Sequence, residues 1–381
     1  MESESGSLHN TNGYLGVTRP DWSHRTSEYL DAFKQNGHEI LIENNGHQQL
    51  GYAPASFTAE KNIRQSTAFL KPVQNRKKLY VLKNTKARKI LFDKWKRAVG
   101  VELKSTNRKV TQVRARKEVV LSAGAINSPQ LLTISGVGPK EHLEKMSTDV
   151  LLNSPNVGRN LQDHPVVPIV ITRDKKFSSV IENIDPLKYL DHFPMPVIVG
   201  FAALNKSQAK ETKLRGALVA LVAHVQPKSR GTIILRTSDQ EGSPLIYSGY
   251  YTNNEDLEDL AKYVEDYVSV MNTRYFRNLK PEIIDFKVPQ CQDLKFPSHE
   301  YWKCYILNLS SSHYHPVGTC AMGVKGVGVV DERLRVRGVR GLRVVDASVM
   351  PTITRGNTNA PTKTITEKAA DMIKHDYGIY E

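Results

Sequence analysis

The residues best suited to chemistry are two histidines in the segment HYHPVGT, residues 313–319. A histidine at the end of a strand, directly before a turn of small residues, is well placed to act as a general base. Two other interpretations stay open, a buried structural histidine and a His-x-His metal pair. The metal interpretation is weak because the sequence offers no third ligand at a recognised spacing. We therefore predict no metal site.

The segment GAINSPQLLTISGVG, residues 124–138, has the pattern of a small-residue turn followed by a helix. The preceding residues 119–122 are rich in β-formers. Ser128 and Pro129 suit the N-cap and the first position of a helix, which Gly136 would end. Bare backbone admits close approach of a nucleotide, and a helix N-terminus favours phosphate. Tight packing of strand against helix explains the same pattern, so the segment alone leaves both interpretations open.

Three further segments place polar residues at predicted strand and helix ends. VGRNLQDHP, residues 157–165, is on its own a polar loop in which His164 is most simply a structural histidine. GLRVVDASVMP, residues 341–351, predicts a strand that ends in Asp-Ala-Ser. GNTNAPT, residues 356–362, predicts a loop and a helix start, which offers backbone N–H groups to an anion or an electron-rich ring edge.

Taken in their order along the chain, the segments resemble the sequence signatures of the glucose–methanol–choline (GMC) oxidoreductases. Residues 124–138 are similar to the second signature of that family, residues 157–165 to its VGxNLQDH element and residues 313–319 to its YHPxGT element. The two C-terminal segments are similar to its GLRVVDASVMP and GNxNAPT elements. The resemblance extends over residues 13–377. The segment PKSRG at residues 227–231 and the asparagine at 357 most resemble the insect branch, the glucose dehydrogenases and ecdysone oxidases.

The resemblance implies a mixed α/β fold with α+β character. In it, a partial FAD-binding domain is interleaved with a substrate domain built on an antiparallel sheet. FAD is the implied cofactor, and the implied reaction is oxidation of an alcohol by hydride transfer to flavin N5. By the same match, His315 accepts the hydroxyl proton and Asn357 hydrogen-bonds the same oxygen. The implied partners are a small-molecule alcohol and an electron acceptor, either a quinone or oxygen.

The same resemblance implies which residues face the flavin. They lie in the turn before the first helix of the match, in the Asp-Ala turn and at the start of the C-terminal helix. These residues are Ala123, Gly124, Asp346, Ala347, Asn357, Asn359, Ala360 and Pro361.

The expected domains follow the family's regions. Residues 1–167 correspond to the C-terminal part of its N-terminal, FAD-binding region, residues 168–226 to a shortened substrate-domain segment, and residues 227–376 to its catalytic C-terminal region. No G-x-G-x-x-G fingerprint follows a strand and opens a helix in this sequence, although that fingerprint normally holds the FAD pyrophosphate. We therefore expect the chain to lack the family's N-terminal dinucleotide-binding segment. The alternative function is an inactive fragment, or the product of an incomplete gene model, that does not retain FAD alone.

The net charge of +14 is concentrated in residues 71–117, which hold 17 Lys and Arg residues against two acidic ones. Cations and apolar residues alternate there, as in a half-buried sheet with a solvated basic face. A nucleic-acid- or heparin-binding module is the alternative. It lacks any recognised nucleic-acid-reading motif, so we expect no nucleic-acid partner.

Localisation is left open by the sequence. No apolar run approaches the roughly 20 residues of a membrane span, and no signal peptide opens this chain. An extracellular location is implied only by the family resemblance. The three cysteines form no disulfide framework and no metal pattern, although one bridge, Cys291–Cys304, is conceivable.

Hydrophobic periodicity and capping signals predict the following elements. Helices are expected at residues 27–36, from residue 128 to residue 136, after the capping residue Asn254 and at residues 362–374. The helix after Asn254 is expected to carry an apolar stripe at helical spacing, formed by Leu257, Leu260, Ala261, Val264, Val268 and Met271. Strands are expected at residues 79–82, 89–92, 98–103, 110–114, 118–122, 232–235, 305–309 and 342–346.

Overall fold

The computed structural model describes residues 16–17, 26–42, 50–55, 59–60, 63–64, 68–172, 197–201, 208–214, 217–237 and 242–379. Its α-helices are α1 (Ser27–Gln35), α2 (Gly124–Ile134), α3 (Lys140–Lys145), α4 (Asn254–Ser269), α5 (Arg274–Leu279), α6 (His299–Leu309) and α7 (Asn359–Asp376). Its first nine strands are β1 (Gly51–Pro54), β2 (Ala59–Glu60), β3 (Ile63–Arg64), β4 (Thr85–Phe92), β5 (Ala98–Ser105), β6 (Val110–Arg114), β7 (Val119–Leu121), β8 (Val137–Gly138) and β9 (Leu152–Asn153). The remaining strands are β10 (Pro165–Thr172), β11 (Val197–Phe201), β12 (Gln208–Leu214), β13 (Ala217–Ala223), β14 (Thr232–Ile234), β15 (Leu245–Tyr247), β16 (Glu282–Ile283), β17 (Ser311–Ser312) and β18 (Leu342–Val344).

Two compact units interleave along the chain. The first is formed by Met1–Tyr80, Pro165–His224 and Glu255–Ser311. The second is formed by Val81–His164, Val225–Asn254 and Ser312–Glu381. This alternation, together with the mixture of helices and sheets, confirms the predicted mixed α/β fold class.

The first unit is built on an antiparallel sheet. Its strands lie in the order β1-β11-β12-β13-β10-β16, and each neighbouring pair is antiparallel. In β10, seven of eight residues are buried, which is typical of a strand covered on both faces. The antiparallel sheet expected for the substrate domain is therefore present.

Helix α4 of the first unit begins at the predicted Asn254. Leu257, Leu260, Ala261 and Val264 are buried along it. Their spacing of three and four residues places them on one face of a helix. The predicted helical stripe is therefore confirmed in its first two turns.

The prediction of a strand at residues 305–309 is wrong, because these residues lie in α6. The side chain of Ser298 accepts a hydrogen bond from the backbone N–H of Tyr301 and caps the helix. Trp302, Tyr305 and Ile306 are buried at helical spacing, and the Tyr305 hydroxyl donates to the Pro168 carbonyl of β10 over 2.8 Å. Packing of this apolar face thus decides the conformation of residues with substantial β-propensity.

A disulfide joins Cys291 and Cys304. Cys291 ends a short 3-10 helix, and Cys304 lies in the middle of α6. The bridge that the sequence left conceivable is therefore present, and it ties α6 to the chain that precedes it.

The second unit contains a parallel pair, β7 and β18, in which Val119 lies opposite Leu342 and Leu121 opposite Val344. Strands β4, β5 and β6 form a separate antiparallel sheet. Ile90 of this sheet belongs to the same buried apolar cluster as Leu121, Val344 and residues of α2. One core thus supports both sheets.

Helix α2 begins at Gly124, four residues before the predicted N-cap Ser128. Pro129 therefore lies inside the helix, where it cannot donate to the carbonyl of Ala125. The buried hydroxyl of Thr319 donates to that carbonyl instead, over 2.6 Å. The side chain of Ser128 is engaged in contacts described below, so the prediction of a helix start at residue 128 is wrong.

The basic stretch forms a sheet as predicted, but its apolar side chains are less covered than expected. All five residues of β6 are exposed, so neither face of this strand is covered. β6 is also an edge strand, paired only with β5 among the described residues. Residues 79–82 form no strand, contrary to the prediction, and are exposed. Helix α7 begins at Asn359 and ends at Asp376, so it includes one more N-terminal turn than predicted. Within the described residues, no helix combines the length and apolar character needed to cross a bilayer.

Candidate active site

His315 is buried, and its imidazole contacts a second imidazole. Its Nδ1 lies 3.0 Å from Nδ1 of His164, and the two ring planes are nearly perpendicular, at 83°. One of these two nitrogens must carry the hydrogen and the other must accept it. When Nδ1 of neutral His315 donates, its Nε2 is unprotonated and can accept a proton from a substrate.

The contact of His164 with the candidate base was not predicted from the sequence. The polar loop containing this residue suggested a structural histidine. The structure instead places its ring against the histidine that the sequence selected as the base. The contact joins residues 151 positions apart, and no local sequence pattern indicates it.

Asp163 fixes the backbone on both sides of this histidine pair. Its Oδ1 accepts from the backbone N–H groups of His164, at 2.8 Å, and of His315, at 3.0 Å. Its Oδ2 accepts from the Tyr250 hydroxyl at 2.8 Å and from the Ser312 hydroxyl. One carboxylate thus holds four donors from three separate segments of the chain. Hydrogen bonds to a charged acceptor are stronger than neutral ones.

Tyr250 is held in its protonated form by this arrangement. Burial, followed by the negative charge of Asp163, raises the pKa of the Tyr250 hydroxyl. The hydroxyl therefore remains a donor to the carboxylate across the ordinary pH range. Asp163, Tyr250 and Ser312 were missed as site residues, since each is individually an ordinary polar residue that belongs to no recognised catalytic pattern.

A second cluster joins the Asp-Ala turn to the start of α2. Asp346 follows β18, and its Oδ2 accepts from the Gly124 N–H at 2.9 Å and from the Ser128 hydroxyl at 2.6 Å. Its Oδ1 accepts from the Ser348 N–H at 2.8 Å. The carboxylate of Asp346 is thus used within the chain, and it shapes the turn that presents Ala347.

The segment containing His315 is attached to this second cluster through the backbone. The Gly318 N–H donates to the Ala347 carbonyl at 3.3 Å, and the Cys320 N–H donates to the Ser348 carbonyl at 2.9 Å. The buried side chain of Val317 packs in a small cluster against which Ala347 also packs. The structure therefore brings together four of the segments singled out in the sequence.

The predicted flavin-facing residues of the turn before α2 are accessible. Ala123 is exposed and Gly124 is half-buried. Gly124 has a φ of +82°, and a β-carbon built on it would meet no atom of the described residues within 4 Å. The described part of the chain thus leaves open space beside the Gly124 backbone, as close approach of a planar ligand requires.

The start of α7 is also accessible. Asn359 and Ala360 in its first turn are exposed, Pro361 is half-buried, and Thr358 at the N-cap forms no side-chain capping bond. The first N–H groups of a helix lack intrahelical acceptors and carry partial positive charge. These features fit the electron-rich edge of a flavin ring.

Asn357 lies in the exposed loop that precedes α7. Its predicted meeting with His315 over one substrate oxygen stays a prediction. The described residues contain no group of three or more His, Cys, Asp and Glu side chains suited to hold a metal ion.

Comparison with known proteins identifies the family. Two sequence models described as GMC oxidoreductase match residues 6–166 and 227–366. Ecdysone oxidase of Spodoptera littoralis is 34% identical over 398 residues, which cover 92% of this chain and 65% of the relative. Glucose dehydrogenase [FAD, quinone] of Drosophila melanogaster is 32% identical over 371 residues, which cover 88% of this chain and 59% of the relative.

Solved structures agree on the fold. An FAD-dependent oxidoreductase from Chaetomium thermophilum superposes with a TM-score of 0.84 at 22% identity, covering 99% of this chain and 76% of that chain. The chain spans less than two thirds of the length of the two insect relatives. Its matches, including both relatives of the insect branch, nevertheless cover most of its own length. The chain belongs to the GMC oxidoreductase family.

Proposed function

We propose that this chain carries the catalytic part of an FAD-dependent oxidoreductase that oxidises an alcohol. The observation that carries the proposal is the imidazole pair: His315 is buried, with one ring nitrogen held 3.0 Å from His164. Such an arrangement fixes the ring orientation of a base, whose other nitrogen would accept the proton of the substrate. FAD, when bound, supplies the acceptor for the hydride that leaves the alcohol carbon.

Residues of the chain would accept the proton, bind the substrate oxygen and position the base. Nε2 of His315 accepts the hydroxyl proton of the alcohol, and the Asn357 side chain hydrogen-bonds the same oxygen. His164 positions the ring of His315, and Asp163 positions its backbone. A base displaced by about 1 Å can lose on the order of a hundredfold in rate, so this double support has kinetic consequences.

Two parts of the chain would hold the cofactor. Ala123, Gly124 and Ala347 form the small-residue turns that admit a flat ring, and Asp346 fixes the geometry of both turns. The first turn of α7, with Asn359, Ala360 and Pro361, offers partial positive charge to electron-rich atoms of that ring. The electron acceptor would be a quinone or oxygen, and the substrate a small-molecule alcohol.

Flavin retention is the first test. We expect the purified chain, mixed with FAD and desalted, to keep a yellow colour with absorbance near 450 nm, a general property of flavins. Loss of all flavin on desalting would favour the alternative of a fragment that does not retain FAD alone.

The second test addresses the base. In the flavin-loaded protein, His315→Ala should slow bleaching of the flavin by an alcohol substrate by about 10²–10⁴-fold. The control is His375→Ala, because the side chain of His375 is 71% exposed near the end of α7. Equal bleaching rates in His315→Ala and the parent would refute the assignment of the base.

We also propose that the chain folds in an oxidising compartment and acts outside the cell. The Cys291–Cys304 disulfide supports this, since such bridges persist mainly in secreted proteins. Thiol titration of protein from its native source under denaturing conditions should detect one thiol, that of Cys320. Three reactive thiols would contradict the proposal.

A further inference from the structure

A cationic cleft lies in the second unit, where β7 and β18 begin. Its volume is about 560 Å³. Five cationic residues line it: Arg97, Lys325, Arg335, Arg337 and Arg340. They come from the turn between β4 and β5 and from the chain between residues 325 and 340, so the tertiary fold gathers them.

The two acidic residues of the cleft are already engaged. Glu118 binds Arg343, whose Nε lies 3.0 Å from Oε2 of the carboxylate. Asp331 binds Nε of Arg335 at 2.8 Å and accepts two backbone N–H groups. Arg335 is therefore neutralised by its own partner. Nη2 of Arg337 lies 3.9 Å from Oε2 of Glu332, whose side chain is mostly exposed. Three cationic residues of the cleft, Arg97, Lys325 and Arg340, therefore remain in excess.

Arg337 provides a second, independent observation. Its Nη2 donates to the Gly323 carbonyl at 2.6 Å, but its Nε is buried and meets no acceptor among the described residues. Buried N–H groups without an acceptor are uncommon in folded proteins, and each calls for an explanation. Because this Nε is buried, an oxyanion in the cleft would become its acceptor only when the Arg337 side chain turns toward the cleft.

We propose that this cleft binds a phosphate-bearing ligand with more than one negative charge. A phosphate group offers several acceptor oxygens to guanidinium groups that approach from different segments, and Arg matches it in bidentate geometry. A single carboxylate carries one charge and leaves most of the excess unbalanced. The ligand is a soluble phosphate compound or a phosphorylated lipid headgroup, which share this chemistry.

The cleft is distinct from the proposed active site. Glu118 and Gly341 stand before the first residues of β7 and β18, whereas Ala123 and Asp346 follow the last. The two strands are parallel, and three residues of strand span about 10 Å. The cleft and the flavin-facing turns therefore lie at opposite ends of the same strand pair, so a ligand in the cleft is not the flavin.

Calorimetric titration of the full chain with inorganic pyrophosphate, at constant ionic strength, tests the proposal. We expect saturable binding at one site. Arg340→Ala and Arg337→Gln should each weaken it by about tenfold or more, since a hydrogen bond to a charged group is lost. Lys109→Ala is the matched control, because Lys109 is exposed and lies outside the cleft. It should change the affinity by less than about twofold.

A second arm separates the two sources of phosphate. Val324 and Val327 flank Lys325 and are 72% and 64% exposed, so a bilayer at the cleft would contact them. Co-sedimentation with phosphatidylcholine vesicles containing phosphatidylinositol 4-phosphate, weakened by Val324→Ser, would assign a lipid source. Pyrophosphate binding without vesicle binding would assign a soluble ligand.

Two outcomes would overturn the proposal. One is the absence of saturable binding in both arms by a parent chain that circular dichroism shows to be folded. The other is that Lys109→Ala and Arg340→Ala weaken pyrophosphate binding equally, and weaken any binding of heparin or DNA equally as well. That result would mean diffuse attraction to the whole basic surface.

Discussion

The hydroxyl of Thr319 and the missing N–H of Pro129 form a matched pair, and we expect a measurable coupling between them. Thr319→Val keeps the side-chain shape but removes the bond to the Ala125 carbonyl, whose distance is 2.6 Å. Ala125 and Thr319 are both buried, so water does not replace the lost donor. Leaving a buried polar group unsatisfied costs about 1–3 kcal/mol. The free energy of unfolding should fall by that amount.

The same substitution should cost less in a Pro129→Ala background. Alanine at 129 restores an N–H that can donate to the Ala125 carbonyl, four residues earlier in α2. The carbonyl then keeps a partner when the Thr319 hydroxyl is removed. We expect the cost of Thr319→Val to drop by about 1 kcal/mol, which is the coupling energy of the double-mutant cycle. Effects of Pro129→Ala on the unfolded chain cancel in the cycle.

Urea unfolding followed by far-UV circular dichroism measures all four variants of this cycle. Thr366→Val is the control, because the hydroxyl of exposed Thr366 in α7 makes a similar bond to a carbonyl four residues earlier. Its effect should stay within about 0.5 kcal/mol. Equal costs of Thr319→Val in both backgrounds would refute the reasoning that the hydroxyl replaces the N–H that proline lacks.

Three further predictions concern the disulfide of the first unit and two carboxylates of the second. Replacing Cys291 and Cys304 by alanine should lower the free energy of unfolding by about 3 kcal/mol, since the bridge closes a loop with a sequence separation of 13. Treating the parent with dithiothreitol should shift its urea midpoint to that of the double-alanine variant. The hydrogen bond from Arg343 is the largest cause that lowers the pKa of Asp376 below its ordinary 3.8. The stability that the ionised Asp376 contributes is therefore complete above pH 3.8 and is lost as pH falls through the lowered pKa. Asp376→Asn should make the melting temperature less dependent on pH between pH 5 and pH 3. Asp163→Asn should slow flavin bleaching by about 10–100-fold while flavin stays bound, and proportional loss of flavin would contradict its role in positioning the base.

Periodic elements were predictable from sequence, because their signal lies within one turn or one strand. The stripe of α4 and the bounds of β6 follow from spacing alone. The start of α2 did not follow, since Ser128 and Pro129 mimic a helix N-terminus so closely. What moves the start to Gly124 is a carboxylate far along the chain, which accepts the Gly124 N–H.

The candidate site divides in the same way. His315 was selected by its own motif. The partner ring of His164 and the carboxylate of Asp163 were not, although both belong to a segment that the sequence had singled out. Their roles depend on tertiary contacts with His315 across 151 and 152 residues. Type and spacing show which residues could do chemistry, and only the fold shows which of them meet.

Asp346 has a consequence for anyone exchanging parts between this chain and its relatives. Its hydrogen bond from the Gly124 N–H joins segments 222 positions apart. The conformations of the two turns therefore depend on each other, although two distant parts of the sequence supply them. A chimera whose junction falls between the two turns takes the Gly124 turn from one parent and the Asp346 turn from the other. Such a junction should be placed so that both turns come from the same donor, or the loop opposite the carboxylate must be redesigned with it.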